Sequence, residues 1–145
     1  MSKKALQIVL AVLALIPILT GGMDLILGTG ALNLPVEVFR PEVINNAFLD
    51  SQTRFLGAIW FGLGIMMYWV IPSIDKQTTL FRLLMGIIFL GGIGRLSSVF
   101  LVGLPPAESI AAIVLELIGM PLLILWQSWI STSASEHSAL PETSK

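Results

Sequence analysis

Four ionisable side chains sit where a chain this apolar should carry none: Asp24, Arg54, Arg95 and Glu116. Arg95 lies within "FLGGIGRLSSVFLVGLPP" (residues 89 to 106), a greasy run with no acidic residue in it. Two acids and two bases placed inside apolar segments can do three kinds of chemistry. They can neutralise one another, receive a small polar or anionic ligand, or exchange a proton. Left unpaired at the centre of a membrane helix, an Arg or Asp costs roughly 2.5–3.5 kcal/mol on insertion scales. Residue spacing adds to the set. Arg95 shares a helical face with Gly91, Gly92, Ser98 and Val99, and Glu116 shares one with Ala112, Gly119 and Met120. Arg54 has Gly57 and Ala58 one turn on and Asp50 one turn back, and Asp24 follows Thr20 and Gly21. Small residues mark close helix–helix approach in membranes, so these faces are expected to point inward. Glu116 is the expected partner of Arg95.

Elements able to hold these residues follow from length and hydropathy. A hydrocarbon core of ~30 Å needs about 20 apolar residues of helix. Four segments qualify, at about 5–27, 52–74, 80–102 and 107–130. Helices are expected because an open strand cannot satisfy its backbone in lipid, and no barrel-like alternation is present. At ~1.5 Å per residue, Asp24 would lie ~5 Å from the outer end of its span and Arg54 ~3 Å. On the same rise Arg95 would lie ~10 Å deep and Glu116 ~14 Å. All four then occupy the outer half of the bilayer, one per helix, as a mutually neutralising cluster would. Asp24 and Arg54 are also shallow enough to snorkel to the headgroups, and Arg82 sits at the opposite edge, where snorkelling accounts for it. Glu116 is short and deepest; it must pair, protonate or face water.

Orientation follows the distribution of Lys and Arg. Lys3, Lys4, Lys76, Arg82 and Lys145 flank one side of a four-helix layout, and Arg40 and Arg54 the other. Both termini are therefore expected in the cytoplasm. Tyr68, Trp69, Trp126 and Trp129 end their spans on that side, as an interfacial belt would. The first span, after Lys3 and Lys4, has a rival reading as a signal peptide, but no A-x-A-like site follows it and apolar character continues to Leu27. Residues 28–51 form a long loop with Pro35 and Pro41, 75–79 a polar turn, and "GLPP" (103–106) a break before the fourth helix. The Ser/Thr-rich segment 131–145 reads as a disordered tail. Gly21-Gly22 and Leu34-Pro35 recur as Gly91-Gly92 and Leu104-Pro105, an offset of 70 that would make the chain two tandem helical hairpins.

Composition narrows the functions. Of 145 residues 55% are hydrophobic and only 12% charged, and the net charge is −1, so no basic surface for nucleic acid is expected. The chain has no cysteine and a single histidine, His137, so no thiolate cluster, haem ligation, other cofactor or metal site is expected. No phosphate loop, HExxH or GxSxG occurs. An enzyme would have to work from a lone carboxylate without a nucleophile beside it.

"DSQTRFLGAIWFGLG", "GGIGRLSSVFLVGLP" and "LELIGMP" resemble the motifs of the domain-of-unknown-function 4345 family, small bacterial membrane proteins, over roughly residues 16–129. The resemblance implies a four-helix protein of a bacterial cytoplasmic or internal membrane. It marks Arg54, Arg95, Ser98 and Glu116, and implies no reaction; Asp24 rests on the depth argument alone. The expectation is an all-α integral membrane four-helix bundle in contact with the lipid bilayer. Two functions stay open. The charge cluster receives or conducts a small polar or anionic ligand or a proton. Alternatively, it only fixes helix packing in a structural or assembly subunit that binds another membrane protein.

Overall fold

The structure is a computed structural model that describes residues 2–33, 42 and 45–139, with backbone only for 32–33 and 133–139. Pro35, Arg40, Pro41, Lys145, the Leu34-Pro35 half of the repeat and the His137 side chain lie outside the described set. The fold is all-α. Helix α1 spans Lys3–Leu27 and runs into a 3₁₀ segment, Gly28–Asn33. Helix α2 spans Ala47–Val70 and α3 spans Thr78–Leu101. Then α4 (Ala107–Val114), a π-helical turn (Leu115–Gly119) and α5 (Met120–Ala139) follow one another without a break. Four stretches are long and apolar enough to cross a membrane: Lys3–Ala31, Ala47–Ser73, Thr78–Leu101 and Ala107–Thr132. Only 22–28% of the residues in their apolar windows are buried inside the protein. Large side chains such as Ile26, Phe55, Leu90 and Leu122 stand exposed along every span. That much apolar surface needs lipid as its solvent, so the protein is a multi-pass membrane protein.

Several boundaries differ from those expected from hydropathy, for local reasons. Helix α2 begins at Ala47 rather than near 52 because Asn46 caps it, its side-chain oxygen accepting from the Phe48 and Leu49 amides at 3.0 and 3.1 Å. Helix α5 runs on to Ala139, into the polar segment that was expected to be disordered from 131; residues 140–145 are not described. The π-turn has a cause in sequence. Pro121 has no N–H to offer the Leu117 carbonyl, and its ring crowds that carbonyl. The Met120 amide instead reaches back to the Leu115 carbonyl, widening the turn.

The chain divides into two compact units. Val9–Ile71 form one, built from most of α1 and α2; the first residues of α1 and everything from Pro72 form the other. Apart from those first residues, the division falls between α2 and α3, at Pro72. In the first unit, α1 and α2 meet backbone to backbone. A Cβ built on Gly21 would stand 2.6 Å from the Phe61 nitrogen, and one on Gly57 2.8 Å from the Leu25 nitrogen. Gly64 is equally tight against Ile18. Only glycine lets the helices approach this closely. Trp60 Nε1 donates to Thr20 Oγ1 at 2.9 Å and the Tyr68 hydroxyl to the Ala11 carbonyl at 3.0 Å, so Tyr68, expected in an interfacial belt, is pinned to α1.

In the second unit, α3 packs on α4, the π-turn and α5. Its core is Phe81, Leu84, Met85 and Ile88 from α3 with Ile113, Met120 and Leu123 opposite. Gly86 and Pro121 leave an apolar notch of about 390 Å³, lined also by Phe89, Ile124 and Leu125.

Candidate functional site

Arg95 and Glu116 come together inside the second unit. Arg95 Nε stands 3.4 Å from Glu116 Oε2. The two ends of this pair differ sharply: the Glu116 side chain is 9% exposed and that of Arg95 52%. Burial of Glu116 follows from two local features. The π-turn carries it toward α3, and Gly92 leaves room for it; a Cβ on Gly92 would be 2.8 Å from the Glu116 Cβ. The contact is a loose one. It leaves Oε2 buried without a hydrogen bond, and Arg95 makes no other bond among the described residues. A guanidinium offers five donors, so most of its capacity is unspent. Ser98, one turn on, is exposed. Its neighbour Ser97 turns its hydroxyl back onto the Gly94 carbonyl at 2.7 Å. On the face shared with Arg95, a Cβ added to Gly91 would meet nothing within 4 Å, and the same holds for Gly94 nearby. Gly92 is thus a packing glycine and Gly91 is not, though sequence spacing treats them alike.

Arg54 has a different task, inside the first unit. Its Nε donates to Asp50 Oδ2 at 2.8 Å, and its Nη1 to the Leu25 and Ile26 carbonyls at 3.1 and 2.7 Å. These carbonyls end α1 and have no partner within the helix. Asp50 Oδ1 in turn accepts from the Thr29 amide and hydroxyl at 3.1 and 3.3 Å. Gly28, at φ +59°, makes the turn possible, and a Cβ there would collide with Asp50. Arg54 and Asp50 therefore cap α1 and fasten the 3₁₀ segment to α2. The partner of Arg54 is Asp50, four residues away, and not Asp24. Asp24 is half-buried with its Cβ against Gly57, and it makes no hydrogen bond or ion pair with another described residue. The four charges expected to neutralise one another thus include one pair, Arg95–Glu116, and one arginine already satisfied within its own hairpin.

Two further polar groups occupy the opposite end of the second unit. Lys3 Nζ lies 2.8 Å from Asp75 Oδ1, which joins the start of α1 to the turn before α3. Contact with the Lys3 ammonium holds the Asp75 carboxyl below its ordinary value of 3.8. Gln127 is completely buried; its Nε2 donates to the Ile74 carbonyl at 3.0 Å and to Thr78 Oγ1 at 2.8 Å, while its Oε1 has no partner among the described residues. Sequence reading missed Gln127. The only signal was a lone amide in an otherwise apolar stretch near two aromatic residues.

The chemistry open to Arg95, Ser98 and Glu116 is that of donors beside a buried acceptor: binding an acid group, or holding a proton. Among the described residues, no three His, Asp or Glu side chains gather as a metal site would require. The apolar notch between Gly86 and Pro121 has no charged or hydrogen-bonding side chain in its lining. No curated protein and no solved structure matches the sequence. One family model does: the domain of unknown function DUF4345 matches residues 5–127. That match takes in most of each of the four apolar stretches together with Arg54, Arg95, Ser98 and Glu116, and the chain belongs to the DUF4345 family.

Proposed function

We propose that Arg95, Ser98 and Glu116 form a binding site for a small anionic or polar ligand reached from the outer half of the membrane. One observation carries this reading: a half-exposed guanidinium whose single partner among the described residues is a buried carboxylate at 3.4 Å. Arg54, by contrast, is spent on three acceptors. Arg95 keeps its donors free at a depth where water is scarce, and unspent donors there favour an incoming acceptor. Arg54 and Asp24 are not part of this site as we read it. In this proposal both termini face the cytoplasm of a bacterial cell. Lys3, Lys4, Lys76 and Arg82 support that side by the positive-inside rule.

The test is ligand-dependent thermal stabilisation of the purified chain in detergent. Methanesulfonate, acetate and phosphate should raise the unfolding temperature of the wild type and leave Arg95→Gln unmoved. Equal shifts in both proteins would refute the site. A structural or assembly role is the second reading, favoured by the open faces at Gly91 and Gly94, where a partner helix could seat. It expects the exchange Arg95→Glu with Glu116→Arg to restore folding and every other property of the wild type.

A further inference from the structure

We infer that each monoanion bound at Arg95 brings one proton with it, taken up by Glu116. This rests on the ligand site proposed above and adds its stoichiometry. Arg95 and Glu116 together carry no net charge. Adding a monoanion leaves the site at minus one, in surroundings where an uncompensated charge is expensive. The charge must be balanced by a second cation or by a proton.

Among the described residues, no cation of the second unit is placed to do it; Lys4 is exposed at the start of α1, beside Lys3 in sequence. Lys3 is engaged with Asp75. Lys76 precedes α3, and Arg82, thirteen residues before Arg95 (95 − 82), is ~20 Å away along the helix. Glu108, eight residues before Glu116 (116 − 108), is exposed, carries the wrong sign and is ~12 Å off. In the first unit, Arg54 is held by Asp50 and the carbonyls of Leu25 and Ile26, and Asp24 is an acid.

Among the described groups a proton is the remaining means, and the geometry provides for it. The anion takes the unspent donors of the guanidinium, and as Arg95 turns to it the loose contact with Glu116 is given up. Freed of its counter-charge, the Glu116 carboxylate takes a proton from water at Oε2, the atom that is buried without a hydrogen bond. The Oε2 lone pair forms the O–H bond; anion and proton enter together, and the site is neutral before and after. When the anion leaves, the proton returns to water and the ion pair re-forms. The loose 3.4 Å contact is what allows Arg95 to change partners.

The experiment is calorimetric titration of the full chain in nanodiscs with methanesulfonate, which stays a monoanion between pH 5.5 and pH 7.5. Two cationic buffers of different ionisation enthalpy give the protons taken up. The wild type should absorb close to one proton per anion where Glu116 is ionised beforehand, with affinity falling about tenfold per pH unit there. In Glu116→Gln, binding should persist with no proton uptake and no dependence on pH. Binding to the wild type without proton uptake would overturn this inference and leave the site standing. So would proton uptake undiminished in Glu116→Gln. Absence of binding at any pH would remove the site and the inference together. If Glu116→Gln does not fold, the two wild-type measurements still decide.

Discussion

Gly92 and Glu116 lie against each other so closely that a methyl group on the first would stand 2.8 Å from the Cβ of the second. The burial of the carboxylate is therefore set by the missing side chain across from it. Leu117, at 3.1 and 3.2 Å from the same imagined Cβ, closes the other side.

Gly92→Ala should consequently force α3 away from the π-turn, since the obstructing atom is a Cβ that cannot swing aside. Overpacking of this kind costs about 1–3 kcal/mol. Gly91→Ala, with nothing within 4 Å of the added carbon, should change stability by under about 0.5 kcal/mol. Denaturant unfolding of the two variants in the same detergent checks the contrast; equal losses would mean that the close approach does not exist.

Arg54→Lys should lower the thermal midpoint by a few degrees, although the charge is kept. A lysine ammonium cannot present the fork that serves Asp50 and two helix-ending carbonyls at once. Methanesulfonate binding, by contrast, should be unaffected by this change. A Lys variant as stable as the wild type would show the cap to be idle.

Stability should depend on pH through Asp75. Its carboxyl is held below the ordinary 3.8 by Lys3, so the ionised form is favoured in the folded protein. The contribution is complete above the ordinary value and is lost as pH falls through the lowered, folded one. Unfolding midpoints of the wild type and Asp75→Asn should differ by a constant amount between pH 5 and pH 7 and converge below 3.8. A gap that persists in acid would assign the effect to something other than this ion pair.

Gln127→Leu should destabilise by about 1–3 kcal/mol, the usual cost of leaving buried polar groups unpaired. The groups orphaned are the Ile74 carbonyl and the Thr78 hydroxyl. Gln127→Glu should be worse at neutral pH, because a carboxylate would face a carbonyl with no donor to offer it. Unfolding curves at pH 5 and pH 8 separate the two effects, the Glu variant alone improving in acid.

Hydropathy located all four spans because lipid imposes length and composition on a helix regardless of its neighbours. Small-residue spacing led to the expectation that the faces of Arg95 and Glu116 both point inward; Glu116 is buried, whereas Gly91, Arg95 and Ser98 stand exposed. What periodicity cannot supply is the rotation and height of one helix against another. For that reason the sequence separates neither Gly92 from Gly91 nor the true partner of Arg54 from Asp24. The pairing with Asp50 was visible only as an i,i+4 spacing, and its purpose depends on where α1 stops, at Gly28. The π-turn had its sign in Pro121, but a proline gives equal notice of a kink, a bulge or a helix end.

The opening residues of α1, with Lys3 and the fully buried Leu6, group with Pro72 and beyond rather than with the rest of their own helix. Synthesis begins at this end of the chain. When residues 9–71 have been made, the segment with which the head of α1 groups, from Pro72 onward, does not yet exist. A bulky tag at the amino end would therefore be felt latest in assembly, and in the half of the molecule farthest from it along the chain.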